Sequence, residues 1–402
     1  MHSFLTLSRA ILFVTVTSVS ASSFFSVPLT KFAPPNSYLA GLPDADRARA
    51  AVLKSFTCGG PKTVLASNLA YSYYTISVGV GSPPTYYNLI VDTGSSNTFV
   101  GTGTPYVKTS TSIFTHEKVN VTYHTGYFRG LEYLDRVTLA PGFVITNQSI
   151  GDALSYADFE GVDGVIGVGP VGLTEGSLST NVNELVPTVM DNALSQGLIT
   201  KEILGISFAP ATSYNDTNGA LTYGGIDSSL YTGEITYIPV TTTFPASAFW
   251  GINVTHATYG SATTVIPKST AGIVDTGTTQ IVLADDFFES YMNAIPGAKL
   301  NKTAGLMYIP ETSVSKIQPL NFTIGGTAQL IPIGQNAAWG LPTNEQYGVV
   351  THMGANSGEG LDFIIGQKFM ERYYAVFDTD NNRVGLALYV SFFPLYLIFS
   401  SG

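Results

Sequence analysis

Two aspartates have residue types around them that could do chemistry. Asp92 closes the apolar run in NLIVDTGSSNTFV and Asp275 closes the one in AGIVDTGTTQIVL, so the string IVDTG is written at 90–94 and again at 273–277. In each copy a buried strand would deliver the acid to its end. The glycine would let the backbone turn and leave room for another chain, and the threonine hydroxyl could bond across to the opposite loop. If the two loops meet, two carboxylates lie a few ångströms apart, cannot both ionise easily, and share one proton. The ionised acid can then take a proton from water while the protonated one donates to a carbonyl oxygen. That is general acid–base hydrolysis of an amide, without a covalent intermediate or a metal, and such a pair titrates as a unit. The alternative is a pair of ordinary strand-to-turn junctions, but both copies follow Ile-Val and precede two Ser/Thr residues.

The elements that must position these acids read as short strands. From about residue 70, YSYYTISVGVG, YYNLIVDTG, KVNVTYHTGYFRG and LEYLDRVTLA carry β-branched and aromatic residues between turn signals. Helical spacing is brief, with NELVPTVMDNALSQG, ending at Gly197, and DDFFESYMNAI as the candidates. Each IVDTG is followed by two apolar residues and a glycine, Val165-Ile166-Gly167 and Ile364-Ile365-Gly366. The same order at similar spacing suggests duplicated lobes. The expected fold is therefore mostly β in two lobes, divided near residue 215 in ATSYNDTNG.

The chain has 402 residues, enough for two cores, and only 11% of them are charged against 45% hydrophobic. Residues 1–21 read as a signal peptide: Arg9, the short apolar core ILFVTV, and small residues before Ala21. That run is too short to span a membrane. Cys58 is the single cysteine, so no intrachain disulfide can form. Asn-x-Ser/Thr sequons at Asn120, Asn147, Asn215, Asn253, Asn301 and Asn321 fit a secretory route and are the candidate glycosylation sites of an extracellular protein.

Charge is unevenly placed. Residues 22–65 carry five bases and two acids, a net +3, whereas residue 66 onward carries a net −14. A basic leader on an acidic body would be held near neutral pH and weakened as carboxylates gain protons. This is the behaviour of a removable propeptide, an ordinary polar linker being the alternative. The acidic body argues against nucleic acid as a partner. GVGPVG at 167–172 fits the dinucleotide spacing but contains Pro170 and lacks a strand–helix alternation. The five histidines show no zinc spacing and no G-x-S-x-G occurs, so neither a metal nor a cofactor is expected.

Together with VGVGSPPTYYNLIVDTGSSNT, DGVIGVG, VMDNALSQGLI, LTYGGIDSSLYTGEITYIPV and RYYAVFDTDNNRVGLA, these features resemble the pepsin-like aspartic proteases over roughly residues 70–388. Within that family the chain looks most similar to the polyporopepsin-type secreted enzymes of fungi. The resemblance implies a bilobal, pseudo-two-fold fold with a substrate cleft between lobes. It implies a zymogen-derived endopeptidase acting on extended protein and peptide substrates, with bulky apolar residues favoured around the scissile bond; a monomer is expected. Asp92 and Asp275 would be the catalytic pair, Thr93 and Thr276 the braces beneath them, and Ser95 and Thr278 donors to the carboxylates. Gly94 and Gly277 complete the two loops. Tyr123, with His124 and Thr125 beside it, would form the flap that contacts substrate. A propeptide lysine, Lys54 or Lys62, is expected to reach the aspartates.

The chain departs from the pattern where glycine usually follows the flap tyrosine and this sequence has His124, and where tryptophan usually stands and this sequence has Phe99. The expected division is signal peptide 1–21, propeptide 22–65, N-terminal lobe 66–215, C-terminal lobe 216–388 and an apolar tail 389–402. That tail, SFFPLYLIFSSG at its end, is too short for a spanning helix. Two rival readings are a pepsin-fold protein that binds without cutting and a membrane-attached protease. Against the first, both acids, both Thr-Gly pairs and Tyr123 are all retained.

Overall fold

A computed structural model of the chain describes residues 24–32, 42–56, 73–122, 126–209, 217–261, 263–302, 305–331 and 346–390. The signal peptide, Lys62, the flap tip Tyr123–Thr125, Asn215 with the expected lobe division, and the tail from residue 391 lie outside the described residues.

The structure is mostly strand. The larger sheet runs Tyr231–Pro239, Arg383–Tyr389, Tyr373–Asp378, Ile203–Ser207, Thr217–Tyr223, Phe25–Phe32, Tyr73–Val80, Thr85–Asp92, Gly164–Gly167, Phe99–Val100, Phe143–Ala157, Tyr127–Ala140, Ile113–Thr122. A second sheet is built around Gly251–Tyr259, Thr270–Val274, Phe363–Ile365 and Ile281–Leu283. One acid stands on each sheet.

The repeat seen in the sequence has a direct structural counterpart. Thr85–Asp92 pairs in parallel with Gly164–Gly167, setting Ile90 beside Val165, Val91 beside Ile166 and Asp92 beside Gly167. Thr270–Val274 pairs in parallel with Phe363–Ile365, setting Ile273 beside Ile364 and Val274 beside Ile365. Parallel strands covered on both faces need apolar side chains on both. Leu89, Ile90, Val91, Ile273 and Val274 are accordingly all buried.

Both expected helices form, the first shorter than its string. It spans Val189–Ser195, because Thr188 and Asp191 close a capping box just after Pro187. It ends before Gly197, whose φ of +67° suits glycine. The second spans Asp285–Ala294 and buries Phe287, Phe288 and Tyr291.

Two leader elements are also ordered. Phe25–Phe32 is an internal strand of the larger sheet. It pairs antiparallel with Thr217–Tyr223 over most of its length and with Tyr73–Val80 at its end, burying Val27 and Leu29. Leu42–Lys54 is a helix with Asp44 in its first turn and Lys54 in its last, both favourable to its dipole. Its buried residues include Asp46, Arg49, Ala50 and Leu53, which share one face at helical spacing. Ala50 and Leu53, with Phe56 beyond the helix, join an apolar cluster containing Leu173, Phe249, Ile273 and Met353.

Candidate active site

Each acid sits where its strand ends, and the two loops brace one another symmetrically. The Thr93 amide donates to Thr276 Oγ1 at 2.9 Å, and the Thr276 amide donates to Thr93 Oγ1 at 3.0 Å. The hydroxyls pass the contact on: Thr276 Oγ1 donates to the Val91 carbonyl at 2.8 Å and Thr93 Oγ1 to the Val274 carbonyl at 3.3 Å. Four bonds between buried groups thus fix one loop against the other.

The acids themselves are held in matching ways. Gly94 N–H donates to Asp92 Oδ1 at 2.9 Å and Gly277 N–H to Asp275 Oδ1 at 3.0 Å. Ser95 Oγ donates to Asp92 Oδ2 at 2.6 Å, and Thr278 Oγ1 to Asp275 Oδ2 at 2.5 Å. The glycines are required by close approach. A Cβ on Gly94 would lie 2.6 Å from Asp275 Oδ1, and one on Gly277 would lie 2.5 Å from Asp92 Oδ1. Only a residue without a side chain lets each acid lean over the other loop.

Between the acids lies a group that the sequence reading did not assign. Arg49, wholly buried, donates through Nη2 to Asp92 Oδ1 and to Asp275 Oδ1, both at 2.7 Å, and through Nε to Asp275 Oδ2 at 2.5 Å. The expectation that Lys54 or Lys62 reaches the aspartates is corrected for Lys54. Its Nζ instead donates to the Asn356 carbonyl at 2.8 Å and pairs with Glu359 at 3.3 Å. The reason is helical phase: five residues beyond Arg49 is about 140° around the helix. Arginine also suits the place better than lysine, since its planar fork bridges several oxygens at once.

A second leader residue accompanies it. One turn before Arg49, the buried Asp46 accepts the Thr279 amide at Oδ1, 3.1 Å, and the Gln280 amide at Oδ2, 2.8 Å. Neither residue was singled out from the sequence. The available signal was the stripe Asp46, Arg49, Ala50, Leu53, apolar in half its members and charged in the rest.

Burial and these contacts set the charges. Burial pushes both site acids up. At Asp275 this is outweighed by the Arg49 charge and by hydrogen bonds from Arg49, Thr278 and Gly277, which hold its carboxyl below the usual range. At Asp92 burial prevails, aided by the neighbouring Asp275 charge, and its carboxyl lies above that range. Burial alone would weaken the charge of Arg49, but the two carboxylates more than offset it. Asp46 is raised to about 7, chiefly by burial and despite its two backbone donors.

Phe99, the departure noted above, is fully buried. Its ring stacks on Phe128 with centroids 3.9 Å apart and meets Phe159 edge-on at 5.1 Å. An apolar cluster of Phe99, Phe128 and Phe159 with Val119 and Val121 thus underlies the hairpin of Ile113–Thr122 and Tyr127–Ala140. Among the sequons, Asn120, Asn147 and Asn253 are exposed. Asn301 and Asn321 use their amide nitrogens inward, toward Tyr347 Oη and toward the Gly260 carbonyl.

Comparison with known proteins agrees with this geometry. The family description "Eukaryotic aspartyl protease" matches residues 73–389. The chain is 51% identical over 321 residues to polyporopepsin of Irpex lacteus, covering 78% of this chain and 93% of that protein. It is 30% identical over 353 residues to gastricsin of Cavia porcellus, covering 82% of this chain and 84% of that protein. The crystal structure of an aspartic proteinase from Irpex lacteus superposes with a TM-score of 0.78 at 44% identity, covering 91% of this chain and 98% of that one. Two braced Asp-Thr-Gly loops on a bilobal β fold, matched along most of the chain by such relatives, place it in the eukaryotic aspartyl protease family as an aspartic-type endopeptidase.

Proposed function

We propose that this chain is the self-blocked precursor of a secreted acid endopeptidase, with Asp92 and Asp275 as its catalytic pair. The observation that carries this reading is the position of Arg49 Nη2, 2.7 Å from one oxygen of each acid. An attacking water needs the same place, within hydrogen-bond reach of both carboxylates. While the leader helix is docked, the guanidinium fills it.

With Arg49 withdrawn, the two acids share one proton. The ionised carboxylate takes a proton from water as the water oxygen bonds to the substrate carbonyl carbon. The protonated carboxyl gives its proton to the carbonyl oxygen, forming a tetrahedral diol. The carboxyl that took the water proton then gives it to the amide nitrogen, and as the C–N bond breaks the other carboxylate takes a hydroxyl proton from the diol, restoring the singly protonated pair. Ser95, Thr278, Gly94 and Gly277 hold the carboxylates in place, and the Thr93–Thr276 brace keeps them in register.

Release of the leader follows from proton linkage. Docked, the Arg49 charge lowers both carboxyls of the pair; free of it, the pair holds its shared proton more tightly. Docking therefore binds fewer protons at the pair and weakens as pH falls. The leader presents Ala50, Leu53 and Phe56 to an apolar surface that includes Phe249, Met353 and Leu361. That surface supports a preference for bulky apolar residues around the scissile bond. His124 is protonated in acid and disfavours basic residues near that bond; an unchanged cleavage pattern for His124→Gly on a peptide library would sink this point. Residues 1–21 support export.

The test is to purify the secreted precursor at neutral pH and shift it to about pH 3–4, where a shared-proton pair works. Mass and casein digestion are followed, with Asp92→Asn and Asp275→Asn alongside. Wild type is expected to shorten and digest and both variants to do neither. A wild type that stays intact and inert, or variants that match it, would overturn the reading.

A further inference from the structure

A cavity of about 180 Å³ lies beside the aspartate loops without including either acid. Its walls are mainly apolar, among them Met190, Leu204, Phe249, Trp250 and Phe377. The indole of Trp250 packs against Phe377 with centroids 5.3 Å apart and donates to the Val168 carbonyl at 3.4 Å, so this wall is fixed. Val168, also in the lining, donates its amide to the Asp92 carbonyl at 2.9 Å. The volume slightly exceeds a cavity of roughly 150 Å³ that admits benzene.

The charged part of the lining has one sign. Asp191 and Glu202 both face the cavity, and Asp380 accepts the Glu202 amide at 3.3 Å. Asp191 is bonded to Thr188 through Oδ2. No ion pair involves Asp191, Glu202 or Asp380 among the described residues. Burial first, then the charges of Asp191 and Asp380, raise the Glu202 carboxyl to about 7. An aromatic-walled cavity whose carboxylates have hydrogen-bond donors but no cation partner among the described residues is complementary to a compact apolar body bearing one positive charge.

We propose that this cavity is a binding site for a small apolar primary amine, with its ammonium on Glu202 and Asp191 and its body against Trp250 and Phe377. The probe is benzylamine, titrated calorimetrically into the full chain at about pH 7.5, where the amine is charged. Benzyl alcohol, of the same shape without the charge, is the control. Saturable one-to-one binding is expected, with benzyl alcohol at least about tenfold weaker, the size of one charge-assisted hydrogen bond. Glu202→Gln is expected to lose about tenfold for benzylamine and little for benzyl alcohol. Ser247→Phe, which adds a ring at the cavity lining, is expected to abolish both, with circular dichroism confirming that each variant folds. No saturable binding, equal affinity for the two probes, or full benzylamine affinity in Glu202→Gln would each overturn the proposal.

Discussion

Glu132 should make the folded chain lose stability as pH rises toward neutrality. It is 3% exposed, accepts the Ser149 hydroxyl, and leaves its Oε2 without a partner among the described residues. Burial, reinforced by the charge of Glu117, raises its carboxyl from 4.5 to about 8. An acid raised on folding binds its proton more tightly in the native state. Its stabilisation is therefore complete below about 4.5, declines with rising pH, and is fully lost above about 8. At 1.36 kcal/mol per pH unit the whole window amounts to about 5 kcal/mol, a large part of a typical folding free energy. The comparison is Glu132→Gln against the parent, both carrying Asp92→Asn to prevent self-cleavage. Urea unfolding is followed from about pH 5 to about pH 9. Other titrating groups cancel in the difference between the curves. The parent is expected to lose several kcal/mol relative to the variant across this range. Curves that stay parallel within about 1 kcal/mol would refute the buried-acid reasoning.

Arg49→Gln should weaken leader docking and move acid conversion to higher pH, with Arg49→Lys intermediate because an ammonium cannot bridge both acids as a fork does; an unshifted conversion profile contradicts this. Asp46 opposes the catalytic pair. Raised to about 7 when docked, from 3.8, it binds a proton on docking, so its share of the hold is full below about 3.8 and lost as pH climbs through 7. Asp46→Asn should flatten that slope in the amide-exchange protection of helix Leu42–Lys54, and an unchanged slope would count against it. Thr93→Val leaves the Thr276 amide buried without its acceptor at 3.0 Å. It should cost about 1–3 kcal/mol in urea unfolding and lower kcat more than it changes KM; wild-type stability would dismiss the brace. On secretory expression, glycans should appear at Asn147 and Asn253 and be absent from Asn321, whose amide nitrogen points to Gly260 O at 3.1 Å; mass spectrometry finding Asn321 occupied decides against this.

The aspartate loops were legible because everything they need is local. A strand, an acid, a hydroxyl and a glycine occupy consecutive positions, and the neighbouring parallel strand repeats its own three-residue pattern. What the sequence hid depends on contacts between distant segments. No local pattern says that Phe25–Phe32 enters the sheet between Thr217–Tyr223 and Tyr73–Val80, or that Arg383–Tyr389 joins the larger sheet. The leader helix was hidden for a different reason. Its inward face carries Asp46 and Arg49 beside Ala50 and Leu53, so a search for apolar periodicity passes over it. Those charges make sense only once their partners are known, because a buried charge must be paired. The uneven charge of the chain was therefore informative about sign and silent about place. It implied a basic leader on an acidic body, yet among the described residues the leader's contact with the acids is Arg49, with Lys54 turned elsewhere by helical phase. Asp46, an acid in that basic segment, meets backbone amides rather than a cation, so net charge per segment could not reveal it. The leader thus holds the second loop at two points of opposite charge, and their proton linkages run in opposite directions. Asp46's gain is complete by about pH 3.8, so under the proposed release mechanism Asp46 no longer offsets the proton uptake of the catalytic pair in stronger acid.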